Sequence, residues 1–128
     1  MTYLLDTHTL IWFLLSPASL PATIRKLVED PTSVLAISLA TPWEMSIKTS
    51  IGKLDAADII DDFESIMERG RFNLLVPTAA HVIRSGRLPW YHRDPFDRLL
   101  AAQTLELGWS LLSKDAIFDA YGVRRLWS

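Results

Sequence analysis

His92-Arg93-Asp94-Pro95-Phe96-Asp97-Arg98-Leu99-Leu100-Ala101-Ala102-Gln103 is the stretch from which the fold can be read. It is a loop turning sharply into a helix. Asp94 suits the cap, Pro95 the first helical position and Asp97 the third. An acid at the third position lies beside the orphan N–H groups and the positive end of the helix dipole. Two readings stay open for Asp97: it closes a capping box, or it is a metal ligand fixed by a rigid helix start. The other acids of the chain decide between them.

Reading toward the C terminus, this helix runs to Leu107 and Gly108 marks its end. Ser110–Leu112 is a strand, Asp115 follows it, Ala116–Ala120 is a short helix and Val123–Leu126 a last strand. Reading back, Thr78 caps a helix through about Ser85, and a loop covers Gly86 to Arg93. Phe72–Val76 is a strand. Asp55 to Arg69 is an acidic amphipathic helix with Ile59, Ile60, Phe63 and Met67 facing inward. The chain starts with a short apolar strand, Thr2–Leu5, that ends at Asp6. Thr7 or Thr9 caps the helix after it, and Pro17 stops that helix. A second helix spans Pro21 to Glu29. Val34–Ile37 is apolar throughout, as a buried parallel strand is. Ser38 or Thr41 starts the helix that carries Glu44, and Ile51-Gly52 breaks it. Strands alternating with helices predict one α/β domain over residues 1–128, a central parallel sheet flanked by helices in three layers.

Composition narrows the function. With 128 residues, 49% of them hydrophobic, the chain can build a core and does not read as disordered. The absence of cysteine excludes disulfides, thiolate catalysis, thiolate-held zinc and iron–sulfur clusters. A net charge of -2 argues against an indiscriminate nucleic-acid binder. The distribution says more. Asp55, Asp58, Asp61, Asp62, Glu64 and Glu68 crowd one segment, and elsewhere basic residues prevail, so a basic surface apart from that helix is open. No charged leader precedes an apolar core and no apolar run spans a bilayer, so a soluble cytoplasmic protein with no membrane partner is expected.

Four carboxylates carry the chemistry. In an open parallel sheet, ligands bind beyond the carboxyl ends of the strands. Asp6 sits just past the first strand and Glu44 shortly after the second. Asp97 opens the helix leading into the fourth strand, and Asp115 sits just past that strand. The topology brings all four to one edge. Converging carboxylates repel, and unaided some would take up protons. A divalent cation removes the conflict. Oxygen-only ligands favour Mg²⁺, or Mn²⁺, over zinc. Each acid also has a plain structural reading: Asp6 as a strand-end cap, Glu44 as a partner of Lys48, Asp115 as a first-turn acid, Asp94 as the helix cap. Asp119 is expected to face water or the rim. His8 reads as a hydrogen-bonding group near a helix start, and His81 as structural or surface. His92 with Arg93 and Arg98 reads as a phosphate contact or a plain loop. Lys48 and Lys114 are candidate phosphate or carboxylate partners. Trp12, Trp43 and Trp109 are expected in core or interface, while Trp90-Tyr91 can stack on a base or pack on a partner. Phosphate-binding glycine loops and the Gly-x-Ser-x-Gly elbow are absent. A response-regulator receiver would need an acidic pair after the first strand and an aspartate after the third.

Four blocks resemble one family. They are Leu4-Leu5-Asp6-Thr7-His8; Trp43-Glu44-Met45-Ser46-Ile47-Lys48 with Gly52-Lys53-Leu54; the stretch quoted first; and Leu112-Ser113-Lys114-Asp115 with Phe118, Tyr121-Gly122 and Trp127. Together they are similar to PIN-domain ribonucleases of the VapC type, the toxin half of type II toxin–antitoxin pairs. Thr41-Pro42 before Trp43 departs from the family's usual small residues. The resemblance implies a PIN-like domain over the whole chain and Mg²⁺- or Mn²⁺-dependent RNA cleavage by metal-activated water. It maps the four acids of the catalytic metal site to Asp6, Glu44, Asp97 and Asp115. It implies homodimers, a small antitoxin that covers the site, and operator DNA contacted only through the antitoxin.

Overall fold

The computed structural model describes Met1–Ser128. Five parallel strands form one sheet in the order β3-β2-β1-β4-β5, with β1 Thr2–Leu5, β2 Val34–Ser38, β3 Phe72–Leu75, β4 Ser110–Leu112 and β5 Arg124–Leu126. Seven α-helices connect them: α1 Thr7–Leu15, α2 Ala22–Glu29, α3 Ala40–Ser50, α4 Ala57–Asp61, α5 Phe63–Arg69, α6 Ala79–Arg87 and α7 Pro95–Leu107. Short 3-10 turns cover Pro17–Ser19 and Ala116–Tyr121.

Alternate side chains of the buried strands serve opposite faces, as the strand period of two requires. Tyr3, Leu5, Leu35, Ile37 and Leu112 join Leu10, Ile24, Val28 and Met67 in one core layer. Leu4, Ala36 and Leu111 point the other way and join Leu100, Ala101 and Ala102 of α7. This is the helix–sheet–helix layering that the alternation of elements predicts.

The acidic segment differs from expectation. It is two helices, broken at Asp62, rather than one. Its apolar residues serve different cores: Ile59 packs with Ile11, Met45 and Ala56, whereas Met67 packs with Phe72 and the main layer. A break lets each face its own partners. Helix α6 runs two residues past Ser85, to Arg87, which shortens the following loop. Residues 116–121 wind as a 3-10 helix, and the last strand starts at Arg124. Helix α3 starts from Leu39, where the Ser38 hydroxyl accepts the Ala40 N–H at 3.0 Å. Pro42 therefore falls at the third helical residue, where it forfeits no internal helix bond.

The sheet order fixes where a ligand can sit. The chain runs from β1 outward to β3, then returns to place β4 on the other side of β1. Beyond the carboxyl ends of β1 and β4 the connections diverge, and a crevice opens there. Leu5 and Leu112 are register partners, so Asp6 and Ser113 emerge side by side at that crevice.

Candidate metal centre

Asp6 is the N-cap of α1, in place of the expected Thr7 or Thr9. Its Oδ1 accepts the Thr9 N–H at 2.8 Å and lies 2.7 Å from the Thr9 hydroxyl. Its Oδ2 accepts the Ser113 hydroxyl. Burial still dominates and pushes the Asp6 carboxyl above its ordinary range, against the lowering effect of Ser113 and Thr9.

Glu44, on the first turns of α3, is also buried. Thr7 donates its hydroxyl to Oε1, and Lys48 one turn later pairs with Oε2. Lys48 Nζ lies 3.6 Å from Asp94 Oδ2 as well. Partial burial alone would lower the Lys48 pKa; Glu44, Asp94 and Asp97 outweigh it and hold the ammonium above its ordinary range. An internal cation thus offsets part of the acidic charge.

Asp94 caps α7, accepting the N–H groups of Phe96 at 2.8 Å and Asp97 at 3.3 Å. Gly108, at φ 67, ends the helix in the left-handed conformation that suits glycine. The capping-box reading of Asp97 fails. The Asp94 N–H goes to His92 Nδ1 at 3.2 Å, and the Asp97 carboxylate turns toward the crevice, with Oδ2 2.7 Å from His92 Nε2. Burial, then Asp94, Glu44 and Asp6, raise the Asp97 pKa to about 7, against a lowering effect of His92. Asp115 caps the last 3-10 turn through Oδ1, which accepts the Ile117 N–H at 3.1 Å. Its Oδ2 lies 3.8 Å from His92 Nε2.

Asp6, Glu44, Asp97 and Asp115 line one cleft of about 430 Å³ at the crevice, with Thr7, His8, Trp12, Lys48, His92, Asp94 and Lys114. The tightest grouping of donor atoms is not the four acids. It is His92, Asp97 and Asp115, whose donors lie within 4.8 Å of one another. Oxygen donors predominate, and burial and three neighbouring carboxylates oppose the ionisation of Asp97. A hard divalent cation fits that arrangement.

Other residues partly depart from the sequence reading and partly follow it. Arg98 touches no phosphate site; it is 3% exposed and its guanidinium is spent on backbone carbonyls. Trp43, expected in core or interface, is 54% exposed and so is no core residue. Trp12 is half-buried, and its ring forms the apolar wall of the cleft, 5.9 Å from Lys114 Nζ and 5.7 Å from the His8 ring. His81 completes a capping box with Thr78. Asp119 faces water, paired with Arg125. Sequence reasoning missed the hydroxyls of Thr7, Thr9 and Ser113 that hold the acids. Their places beside Asp6 and Asp115 in the chain were the available signal.

The raised Asp97 pKa sets a pH dependence. The folded protein binds this proton more tightly than the unfolded chain does, so native stability falls as pH rises from about 4 to about 7 and levels off above that. Asp6 acts in the same direction. Urea midpoints in EDTA at the two ends of that range will show the fall. Saturating Mg²⁺ will shrink it, because a bound cation favours the ionised carboxylates. A midpoint that climbs toward neutrality in EDTA would contradict this electrostatic picture.

A parallel sheet with helices on both faces and a His/Asp cluster at its switch point are consistent with a metal-binding, nuclease-like site on an α/β fold. The family model described as "PIN domain" matches residues 3–123, and the chain belongs to the PIN-domain family. In sequence, no curated protein matches it. Among solved structures, a chain of VapBC2 from Rickettsia felis, bound to a DNA fragment from their promoter, superposes with a TM-score of 0.75 at 16% identity, covering 100% of both chains. A chain of VapBC-1 from nontypeable Haemophilus influenzae gives 0.68 at 22% identity, over 98% of this chain and 97% of that one. A chain of FitAB bound to the IR36 DNA fragment gives 0.67 at 20% identity, over 97% and 93%. These likenesses are likenesses of fold. No helix is long and apolar enough to cross a membrane.

Proposed function

We propose that this chain is a metal-dependent endoribonuclease acting as the toxin of a toxin–antitoxin pair. The observation that carries the reading is the meeting of Asp6, Glu44, Asp97 and Asp115 in one cleft at the sheet's switch point. Asp6, Glu44 and Asp97 would hold the principal ion, Mg²⁺ or Mn²⁺, with Asp115 completing the set. A divalent cation held there makes water a competent nucleophile at neutral pH and offsets the charge that builds on a phosphate under attack.

The chain's own residues do the rest. Thr9, Ser113 and Thr7 donate to Asp6 and Glu44 and keep their oxygens turned into the cleft. Lys48 pairs with Glu44 across one helical turn. Lys114 and His8 at the mouth offer positive or donating groups to phosphates that flank the scissile one. Trp12 gives that wall a face on which a base can stack. Solvent protonates the leaving 3′-oxygen, and the products carry 5′-phosphates.

The partner reading rests on two supports. The structural neighbours include VapBC and FitAB complexes. An apolar groove lined by Leu39, Pro42, Trp43, Pro77 and Val82 also lies exposed, with Trp43 at 54% and Val82 at 53%. We assign this chain a small antitoxin and a homodimeric form, with operator DNA reached only through the antitoxin.

The test is cleavage of an end-labelled single-stranded RNA by protein freed of trace nucleases. Cutting is expected with Mg²⁺ or Mn²⁺, none in EDTA, and every new downstream end carries a 5′-phosphate. Cutting that persists in EDTA, or products ending in 2′,3′-cyclic phosphate, would reject this chemistry.

A further inference from the structure

We infer that His92 is a positioning residue that donates a hydrogen bond to Asp97, and not a metal ligand, because the backbone of the α7 cap fixes its tautomer. The inference rests on the metal-centre reading above and adds a role that distance alone would misassign. By distance, His92 belongs with Asp97 and Asp115 as a donor to the ion. Hydrogen bonding says otherwise.

Asp94 N–H points at His92 Nδ1 from 3.2 Å. An N–H can only donate, so Nδ1 must be the bare nitrogen. A neutral ring with bare Nδ1 carries its proton on Nε2. That proton faces Asp97 Oδ2 at 2.7 Å. Nε2 then has no lone pair for a cation. Exchanging the tautomer would set two N–H groups against each other and strand the Asp94 donor, whose residue stands outside the helix ladder as its cap.

The main chain of His92 is held as well. The His92 N–H donates to the Tyr121 hydroxyl at 2.9 Å, and the His92 carbonyl accepts from Arg98 Nη1 at 3.0 Å. Both backbone groups of the residue are therefore pinned. With Oδ2 engaged by His92, the Asp97 carboxylate is tied at one oxygen while the residue lines the cleft. A hydrogen bond of this kind orients a ligating carboxylate, and losing such a partner costs about 10- to 100-fold in metal affinity.

Two measurements test it. Long-range ¹H–¹⁵N spectra of histidine-labelled wild-type protein, at one pH, read the tautomer without any substitution near the site. We expect Nε2 protonated and Nδ1 bare, both metal-free and with saturating Mg²⁺. Calorimetric Mn²⁺ titrations then compare wild type with His92→Asn and His92→Gln. The Asn amide oxygen can still accept from Asp94 N–H but gives Asp97 no donor; the Gln amide nitrogen reaches where Nε2 stands. We expect about 10- to 100-fold weaker binding in His92→Asn and recovery of most of it in His92→Gln. Loss of the Nε2 proton on Mg²⁺ saturation would make His92 a ligand and overturn the inference, as would wild-type affinity in His92→Asn. Wild-type protein that takes up no Mn²⁺ would instead overturn the metal centre itself, and the inference with it.

Discussion

Replacing Asp97 by Asn will reduce RNA cleavage about 100-fold or more, while the folded protein in EDTA at neutral pH becomes at least as stable as wild type. The two effects share one cause. Burial, and then Asp94, Glu44 and Asp6, oppose the ionisation of Asp97. A cation turns that opposition into affinity, and charge stabilisation worth several kcal/mol in a phosphoryl transition state corresponds to at least about two powers of ten in rate. Asn keeps the shape and removes the charge. Its amide oxygen can still accept from His92, and the α7 cap is untouched because Asp94 makes it. Initial rates on labelled RNA, with urea midpoints in EDTA and in Mg²⁺, check both halves. Mg²⁺ should raise the midpoint of wild type and leave Asp97→Asn nearly unmoved. Wild-type cleavage by the variant would remove Asp97 from the mechanism.

Arg98→Met will destabilise the fold by about 3 kcal/mol or more, the cost of stripping a charged donor from several inward-facing carbonyls. Arg98 Nη1 lies 3.0 Å from the carbonyls of Pro89 and His92, and Nη2 2.8 and 2.9 Å from those of Ser85 and Leu88. The Trp90 ring covers its Cζ at 3.7 Å. One planar fork thus ties the end of α6 and the loop into α7, which carries His92. Arg98→Lys should recover only part of the loss, since a single ammonium cannot reach two pairs of carbonyls at once. Chemical denaturation of the three proteins at one pH gives the numbers. A Met variant within about 1 kcal/mol of wild type, the range of an ordinary surface change, would show that the loop holds itself.

Much of this architecture could be read from the chain. Helix α7 is spelled out by its own residues, with Asp94, Pro95 and Gly108 where a cap, a first turn and a stop belong. The acids reach one cleft because alternating strands and helices leave few ways to connect a parallel sheet, and each acid stands just past a strand or in the first turns of a helix. The structural and functional readings of those acids turned out not to be rivals. A carboxylate has two oxygens: Asp115 caps a turn with Oδ1 while Oδ2 faces the cleft, and Glu44 pairs with Lys48 while lining the same cleft.

What stayed hidden depends on contacts between segments. The break at Asp62 carries no Gly or Pro to announce it; it follows from two cores pulling on one acidic stretch. His92 lies in a loop without periodicity, so nothing in its neighbours says which nitrogen faces what. Arg98 fits neither of its two sequence readings, a phosphate contact or a plain loop, because it is a buried residue of α7. Its spacing was the better guide, since it falls three and four residues before Ala101 and Ala102, on the buried face of α7.

Diffraction from Mn²⁺-soaked crystals, with an anomalous difference map at the manganese edge, puts the central claim to its most direct test. A peak is expected in the cleft, within coordination distance of carboxylate oxygens from Asp6, Glu44 and Asp97 and absent from Asp97→Asn crystals. A saturating soak with no peak there, or manganese held only on the exposed acids of α4 and α5, would contradict it.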